Sequence, residues 1–308
     1  MFSVIFPGQG SQIVGMGKEF YEKYDVVKKL FQEADETLKI PISKIILEGP
    51  KEELDITINT QPAIFLISYS IFQVIKKEFN IDLHQAKYFA GHSLGEYSAI
   101  ACANYLDFKE TIQVLKKRGD AMQNSVPKGE GGMLAVLGNN IENLEKILKD
   151  NKDKFLVEIA NDNSDGQIVV SGNNKDLDNL ILVLKDNKIK NIRLPVSAPF
   201  HSSMMKKATE IMNEELKQLN FKKGSNVLIS NITADEIFNF DELKDLLTKQ
   251  IENRVRWRES VLYMIDKGVK DFIEIGPGKV LSGLVKRIKK DANVFSINNE
   301  EDIKNLKI

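Results

Sequence analysis

A serine set between two glycines, Gly91-His92-Ser93-Leu94-Gly95, is the group in this chain whose surroundings best suit it to chemistry. A short apolar run, Tyr88-Phe89-Ala90, precedes it, and the small and apolar residues Tyr97-Ser98-Ala99-Ile100-Ala101-Cys102-Ala103 follow. That order predicts strand, sharp turn and helix, the arrangement that exposes a nucleophilic serine. Glycines two before and two after the serine make room for the turn, and the serine takes strained backbone geometry. N–H groups at the start of the following helix then point at whatever the hydroxyl attacks, which suits a developing oxyanion.

A serine hydroxyl is a weak nucleophile at neutral pH and needs a base. The chain has three histidines. His92 adjoins Ser93, and consecutive side chains diverge. His84 precedes the elbow strand and belongs at its opposite end. His201 remains, in the irregular segment Pro195-Val196-Ser197-Ala198-Pro199-Phe200-His201-Ser202, where a rigid extended backbone can present it over the elbow. Such a base is worth about 10²–10⁴ in rate. A hydrolase triad also needs an acid between serine and histidine. The candidates Asp162 and Asp165 fall in a segment with its own rhythm, and neither convinces.

The elements around these residues alternate. Ser3 to Phe6 predicts a buried strand, broken by Pro7-Gly8-Gln9-Gly10-Ser11-Gln12, where two glycines let the backbone of Gln9 come close to a ligand. Helical periodicity runs from Met16 to Leu38, and Gln61-Pro62 opens a second long helix with the proline in its first turn. Phe108 to Gln123 is helical and carries Lys116-Lys117-Arg118-Gly119. After the linker-like Val126 to Gly132 come a strand (133–137), helix (141–149), strand (155–159), turn (161–166), strand (167–170), helix (176–185) and strand (189–194). This βαββαβ order is the split-βαβ, ferredoxin-like arrangement, set inside a larger unit. The larger unit resumes with a helix (204–219), strand (227–230), helix (241–252), a helix opened by Arg256-Trp257-Arg258, a strand (272–275), and a helix (280–288). Gly276-Pro277-Gly278-Lys279 joins the last two but lacks the Gly-Lys-Ser/Thr ending of a phosphate loop, so it reads as a structural turn.

Bulk properties exclude several classes. With 43 Lys and Arg against 44 Asp and Glu in 308 residues, the formal net charge is −1, and nothing advertises a nucleic-acid or membrane partner. The single cysteine, Cys102, rules out an internal disulfide framework and reads as a small buried hydrophobe. No signal peptide or transmembrane helix is expected, and the default compartment is the cytoplasm.

Taken together, Pro7 to Gln12, Gly91 to Tyr97, Arg118-Gly119, Pro195 to His201, Gln250, Val255-Arg256-Trp257 and Glu274-Ile275-Gly276-Pro277-Gly278-Lys279-Val280-Leu281 resemble the malonyl-CoA:acyl carrier protein transacylases of bacterial type II fatty acid synthesis. The resemblance runs in order from residue 2 to about residue 290. It implies an α/β-hydrolase-like core with a mainly parallel sheet over residues 1–126 and 197–308, plus a ferredoxin-like insert over 127–196. By the same resemblance Ser93 is the nucleophile that carries a malonyl ester, and His201 is base and then acid. The main-chain N–H groups of Gln9 and Leu94 form the oxyanion hole, and Arg118 grips the malonyl carboxylate with two parallel bonds that lysine could not reproduce. A main-chain carbonyl at Gln250 replaces the triad acid, and His92 supports the pocket. Phe200 stands where some members have a smaller polar residue, which is compatible with malonyl and disfavours a branched methylmalonyl group. The implied reaction is a ping-pong transfer between two thioesters, with malonyl-CoA and acyl carrier protein as partners, no metal and no cofactor, in a monomer. Carrier proteins are acidic, so Lys286, Lys289 and Lys290 on one helical face, with Arg287 alongside, are the docking candidates.

An esterase or thioesterase that sends the acyl-serine to water would give Arg118 no task. A polyketide acyltransferase would use the same residues with another carrier, and a non-enzymatic scaffold would have no need of Ser93, His201 and Arg118 together.

Overall fold

The computed structural model describes residues 1–196 and 198–306. Its strands are β1 (Phe2–Phe6), β2 (Tyr88–Gly91), β3 (Gly131–Leu137), β4 (Val157–Ser164), β5 (Gln167–Asn173), β6 (Lys190–Arg193), β7 (Val227–Ile229), β8 (Glu236–Ile237), β9 (Asp271–Ile275) and β10 (Asn293–Ile297). They form two sheets. The larger has the order β10-β9-β1-β2-β7-β8 and is parallel except at β7–β8.

The central strands are apolar on both sides because both faces are covered. Val4, Phe6, Phe89, Leu228 and Ile273 enter one core, packed by the helices Asp25–Leu38, Thr57–Glu78, Leu94–Cys102 and Phe108–Gln123. The alternating residues Ile5, Tyr88, Ala90, Ile229 and Phe272 enter a second core with Trp257 and Val261 of Trp257–Asp266 and Leu281 and Val285 of Val280–Ile288. Thr57–Glu78 is long and apolar enough to cross a membrane by length and composition, yet 83% of its most apolar stretch is buried inside the protein, as a core helix would be.

The second sheet has the order β4-β5-β3-β6 and is antiparallel throughout. On one face, Leu134, Val136, Ile168 and Val170 pack against Leu144 of Ile141–Asp150 and Leu177, Leu180 and Leu184 of Asn174–Asp186. On the other, Met133, Ala135 and Val169 join the main core. A parallel bridge between Asn161 and Val255, with Val255 N–H on Ala160 O at 2.8 Å and Asp162 N–H on Val255 O at 2.9 Å, ties the sheet to the rest.

Several expectations are corrected. The helix expected from Met16 to Leu38 is two, Lys18–Lys23 and Asp25–Leu38, because Tyr24 is extended (φ −117°, ψ 122°). The long helix begins at Thr57, four residues before Gln61, so Pro62 lies inside it. Asn161 to Ser164, expected in a turn because they are polar, belong to β4 and are buried. Short helices Ile42–Glu48 and Lys51–Asp55 and the strands β8 and β10 had no clear periodic signal. The expected domain boundary at Ser197 lies outside the described residues.

The loops after β1, β2 and β9 emerge at the carboxyl ends of parallel neighbours, with Phe6 paired to Gly91 and Ile5 to Glu274. Ligand crevices form at that edge of parallel sheets.

Candidate active site

Ser93 has φ 54° and ψ −111°, a conformation that a non-glycine residue holds only under constraint. The glycines beside it fit no side chain. A Cβ on Gly91 would lie 2.0 Å from the carbonyl of Gly95, and one on Gly95 would lie 2.2 Å from Phe6 O. Asn231, 1% exposed, holds the turn from outside: it accepts from Ser93 N–H at 2.7 Å and donates to Gly91 O at 2.7 Å. The first loop is pressed against the same turn, since a Cβ on Gly8 would come within 2.6 Å of His92 O.

The hydroxyl of Ser93 meets His201. Its Oγ lies 2.8 Å from His201 Nε2, and His201 Nδ1 lies 2.7 Å from Gln250 O. A carbonyl only accepts, so Nδ1 carries the proton and Nε2 is the free base that faces the serine. His201 is itself at positive φ (57°), in a loop pinned by Ser171 Oγ donating to Phe200 O at 2.5 Å and Ser202 Oγ donating to Pro199 O at 2.6 Å. Burial, reinforced by the Arg118 charge, holds the imidazole down at about 3.

Arg118 completes the group. The guanidinium is 1% exposed and donates from Nη1 to Gln61 Oε1 at 2.7 Å, and from Nη2 to Gln250 Oε1 at 2.7 Å and Ser93 Oγ at 3.1 Å. It also lies 5.5 Å from the ring centre of Tyr97. Gly119 permits this approach, because a Cβ there would fall 2.6 Å from Thr57 O on the helix that carries Gln61. Burial pulls the guanidinium below its ordinary value.

These groups open onto a cleft of about 460 Å³ between the two sheets. Gln9, Leu94, Phe200 and His201 line it from one side, Met133, Ala135, Asn163 and Val169 from the other. Leu94 is the first residue of Leu94–Cys102, so its N–H has no partner within the helix. His92 Nε2 donates to Asn163 Oδ1 at 2.8 Å, and the ring rests on Trp257, coupling the elbow to β4. Among the described residues, no group of three or more His, Cys, Asp or Glu is placed to hold a metal ion.

The chain matches the acyl transferase domain family over residues 3–305. It is 44% identical to the malonyl CoA-acyl carrier protein transacylase of Bacillus subtilis strain 168, over 97% of this chain and 94% of that one. Among solved structures, it resembles the acyl-carrier-protein-S-malonyltransferase of Bartonella henselae (38% identity, TM-score 0.96, 99% of this chain and 97% of that one). It also resembles a malonyl-transacylase in complex with a type II PKS acyl-carrier protein (33% identity, TM-score 0.94, 98% and 97%). The chain belongs to the acyl transferase family.

In this acyl transferase the sequence candidates Ser93, His201, Arg118, Gln250, His92, Gln9 and Leu94 therefore gather at or beneath one cleft. The rejected acids have other partners: Asp162, 1% exposed, takes a two-oxygen grip from Arg258 Nε at 3.1 and 3.0 Å, and Asp165 lies out in solvent 3.7 Å from the same guanidinium. His84 sits at the far end of β2 as expected, bonded to Asn226 Oδ1 at 2.9 Å. Cys102 is buried, and burial pushes its thiol well up. The Gly276 to Lys279 turn has no vacancy for phosphate, because Glu274 already accepts from the N–H groups of Leu281 (3.0 Å) and Ser282 (2.7 Å).

One grouping is corrected. The helix carrying the docking candidates ends at Ile288 and Lys289 is extended (φ −141°, ψ 100°), so Lys289 and Lys290 leave the face that holds Lys286. All four cations are exposed, but Arg287 donates to Gln167 Oε1 at 2.6 Å and Lys289 pairs with Asp291. Three residues of the site went unread: Gln61, Asn231 and the buried Glu96. Gln61 had Pro62 beside it as a sign of helix start only, and Asn231 and Glu96 carried no chemical signal of their own.

Proposed function

We propose that this chain moves the malonyl group of malonyl-CoA to the phosphopantetheine thiol of acyl carrier protein through a malonyl ester on Ser93, and so supplies malonyl units for fatty acid synthesis. The observation that carries the substrate is the 3.1 Å contact between Arg118 Nη2 and Ser93 Oγ in a buried cleft. A cation there, bonded among the described residues to the neutral oxygens of Gln61, Gln250 and Ser93, suits an acyl chain that ends in a carboxylate.

In the first half-reaction Ser93 Oγ attacks the thioester carbonyl while His201 Nε2 takes its proton. The carbonyl oxygen becomes an oxyanion held by the N–H groups of Gln9 and Leu94, each donor worth about 10²–10³ in rate. Collapse expels the CoA thiolate, which recovers the proton from His201. The carrier thiol then repeats the steps in reverse. The Gln250 carbonyl holds the imidazole in the needed tautomer, and the malonyl carboxylate binds the Arg118 guanidinium, which the Gln61 and Gln250 amide oxygens hold in place. Both thioesters are of one kind, so the exchange is near neutral in energy.

Strand order and the two helices on one face of the antiparallel sheet support a ferredoxin-like insert over 127–196 in an α/β-hydrolase-like core. The exposed cations Lys286 and Arg287 in the last turn of a helix whose start lines the cleft, with Lys289 and Lys290 just after it, support this end as the carrier docking surface. The reading is of a cytoplasmic monomer without cofactor or metal.

Intact-mass spectrometry after brief exposure to malonyl-CoA, then holo carrier protein, tests the proposal. A malonyl adduct absent in Ser93→Ala and chased onto the carrier supports it; an adduct that decays in water and ignores the carrier points to a hydrolase.

A further inference from the structure

Beneath the cleft, a line of hydrogen bonds runs from Arg118 to a carboxylate. Glu96, 1% exposed in the first turn of Leu94–Cys102, accepts from Gln250 Nε2 at 2.5 Å through Oε2, and Gln250 Oε1 accepts from Arg118 Nη2 at 2.7 Å. A neutral amide thus separates a buried anion from a buried cation. Glu96 does not line the cleft and cannot touch substrate. Its Oε2 also faces Asn231 N–H at 3.4 Å, whereas its buried Oε1 meets no donor among the described residues. A proton on Oε1 would remove the buried charge without breaking the bond at Oε2.

Charge balance gives this geometry a use. With the cleft empty, Glu96 and Arg118 offset each other across the Gln250 amide. A malonyl carboxylate on Arg118 sets two anions against one cation out of water, and then one of the two is neutralised. The substrate carboxylate touches the guanidinium directly, and Glu96 only through the amide, so Glu96 is the one to yield. We propose that Glu96 is the counter-charge of Arg118 in the empty site and takes a proton on Oε1 when the malonyl carboxylate binds, which couples acylation by malonyl-CoA to uptake of one proton. The inference rests on the malonyl reading above.

The groups facing Glu96 leave this proton to it. Arg118 comes from Phe108–Gln123, His201 from its loop through Gln250, and Tyr97 from the same helix. Burial pushes the Glu96 carboxyl up to about 7, so it is partly ionised near neutrality. His201, held at about 3, and Tyr97, at about 12, both stay neutral there. The covalent step adds nothing, since the hydrogen leaving Ser93 Oγ ends on the CoA sulfur.

Proton uptake is measured with a pH indicator in weak buffer when excess protein meets malonyl-CoA, normalised to the adduct seen by intact mass, for the wild type and Glu96→Gln. The wild type is expected to take up few protons near pH 5.5, where Glu96 is already neutral, rising toward about one per adduct near pH 8. Glu96→Gln, which keeps shape and an acceptor for Gln250, shows only the small signal of free CoA thiol. Equal uptake in both proteins, or none in the wild type at any pH, overturns the proposal even where the adduct forms. Absence of any adduct would instead sink the malonyl reading itself.

Discussion

His201 Nδ1 lies 2.7 Å from the main-chain carbonyl of Gln250, so the imidazole that faces Ser93 is oriented by a group that cannot ionise. A triad carboxylate would stabilise the imidazolium; a carbonyl dipole next to the buried Arg118 does so far less, and the imidazole is held at about 3. His201 should therefore keep the ¹⁵N shifts of a neutral, Nδ1-protonated ring from pH 7 down to about 5, where a free histidine is mostly protonated. The linkage follows in sign. The unfolded chain binds a proton at this residue below its ordinary range and the folded one does not, so the contribution of His201 to stability falls as pH drops from about 6.5 toward 3. A ring titrating near 6.5 would remove this account.

Arg118→Ala should lower kcat/KM for malonyl-CoA by about 10²-fold or more, the loss of a charge-assisted pair in a dry site. Arg118→Lys should recover little of it, because one ammonium cannot reach Gln61, Gln250 and the substrate together. Acylation by acetyl-CoA, which has no distal carboxylate, should fall much less. Steady-state rates with both thioesters decide the point.

Gly91→Ala should abolish the folded elbow, since its Cβ would overlap the Gly95 carbonyl at 2.0 Å. A cost above about 3 kcal/mol is expected, as for severe overpacking against rigid backbone. Thermal unfolding or loss of soluble protein reports it, and a stable, active Gly91→Ala enzyme would contradict the geometry.

Arg258→Ala should destabilise the protein by about 3–5 kcal/mol, because it leaves the buried Asp162 carboxylate without its cation. The double variant Arg258→Ala with Asp162→Asn should regain part of that. Urea unfolding of the three proteins measures the coupling.

Lys286→Glu with Lys290→Glu should raise KM for carrier protein several-fold while malonylation of Ser93 by malonyl-CoA continues at its usual rate. Neither lysine has a carboxylate partner within ion-pair distance among the described residues, unlike Lys289. Unchanged KM would dismiss the patch.

The elbow was legible in the sequence because its geometry forces residue types: a Cβ fits at neither 91 nor 95. His201 was legible by elimination, and Arg118 through resemblance. What escaped reading were polar residues whose meaning is wholly tertiary. Gln61, Asn231 and Glu96 would look the same on a solvated surface, and only packing buries them. Asn161 to Ser164 misled for the same reason: polar residues in a strand look like a turn until Asn163 finds His92 and Asp162 finds Arg258. Pro62 misled by position, since the helix starts a turn earlier, where Thr60 Oγ1 donates to Leu54 O at 2.6 Å and Ile56 O at 3.1 Å.

The partners of Ser93 are far apart along the chain, His201 beyond the antiparallel sheet and Gln250 later still. On a ribosome the serine emerges long before the imidazole, and the imidazole before the carbonyl that aims it. A growing chain, or one cut short before Gln250, has the serine but no oriented imidazole beside it. The chemistry proposed for Ser93 is thus withheld until Gln250 has been made, and the order of residues acts as a timer.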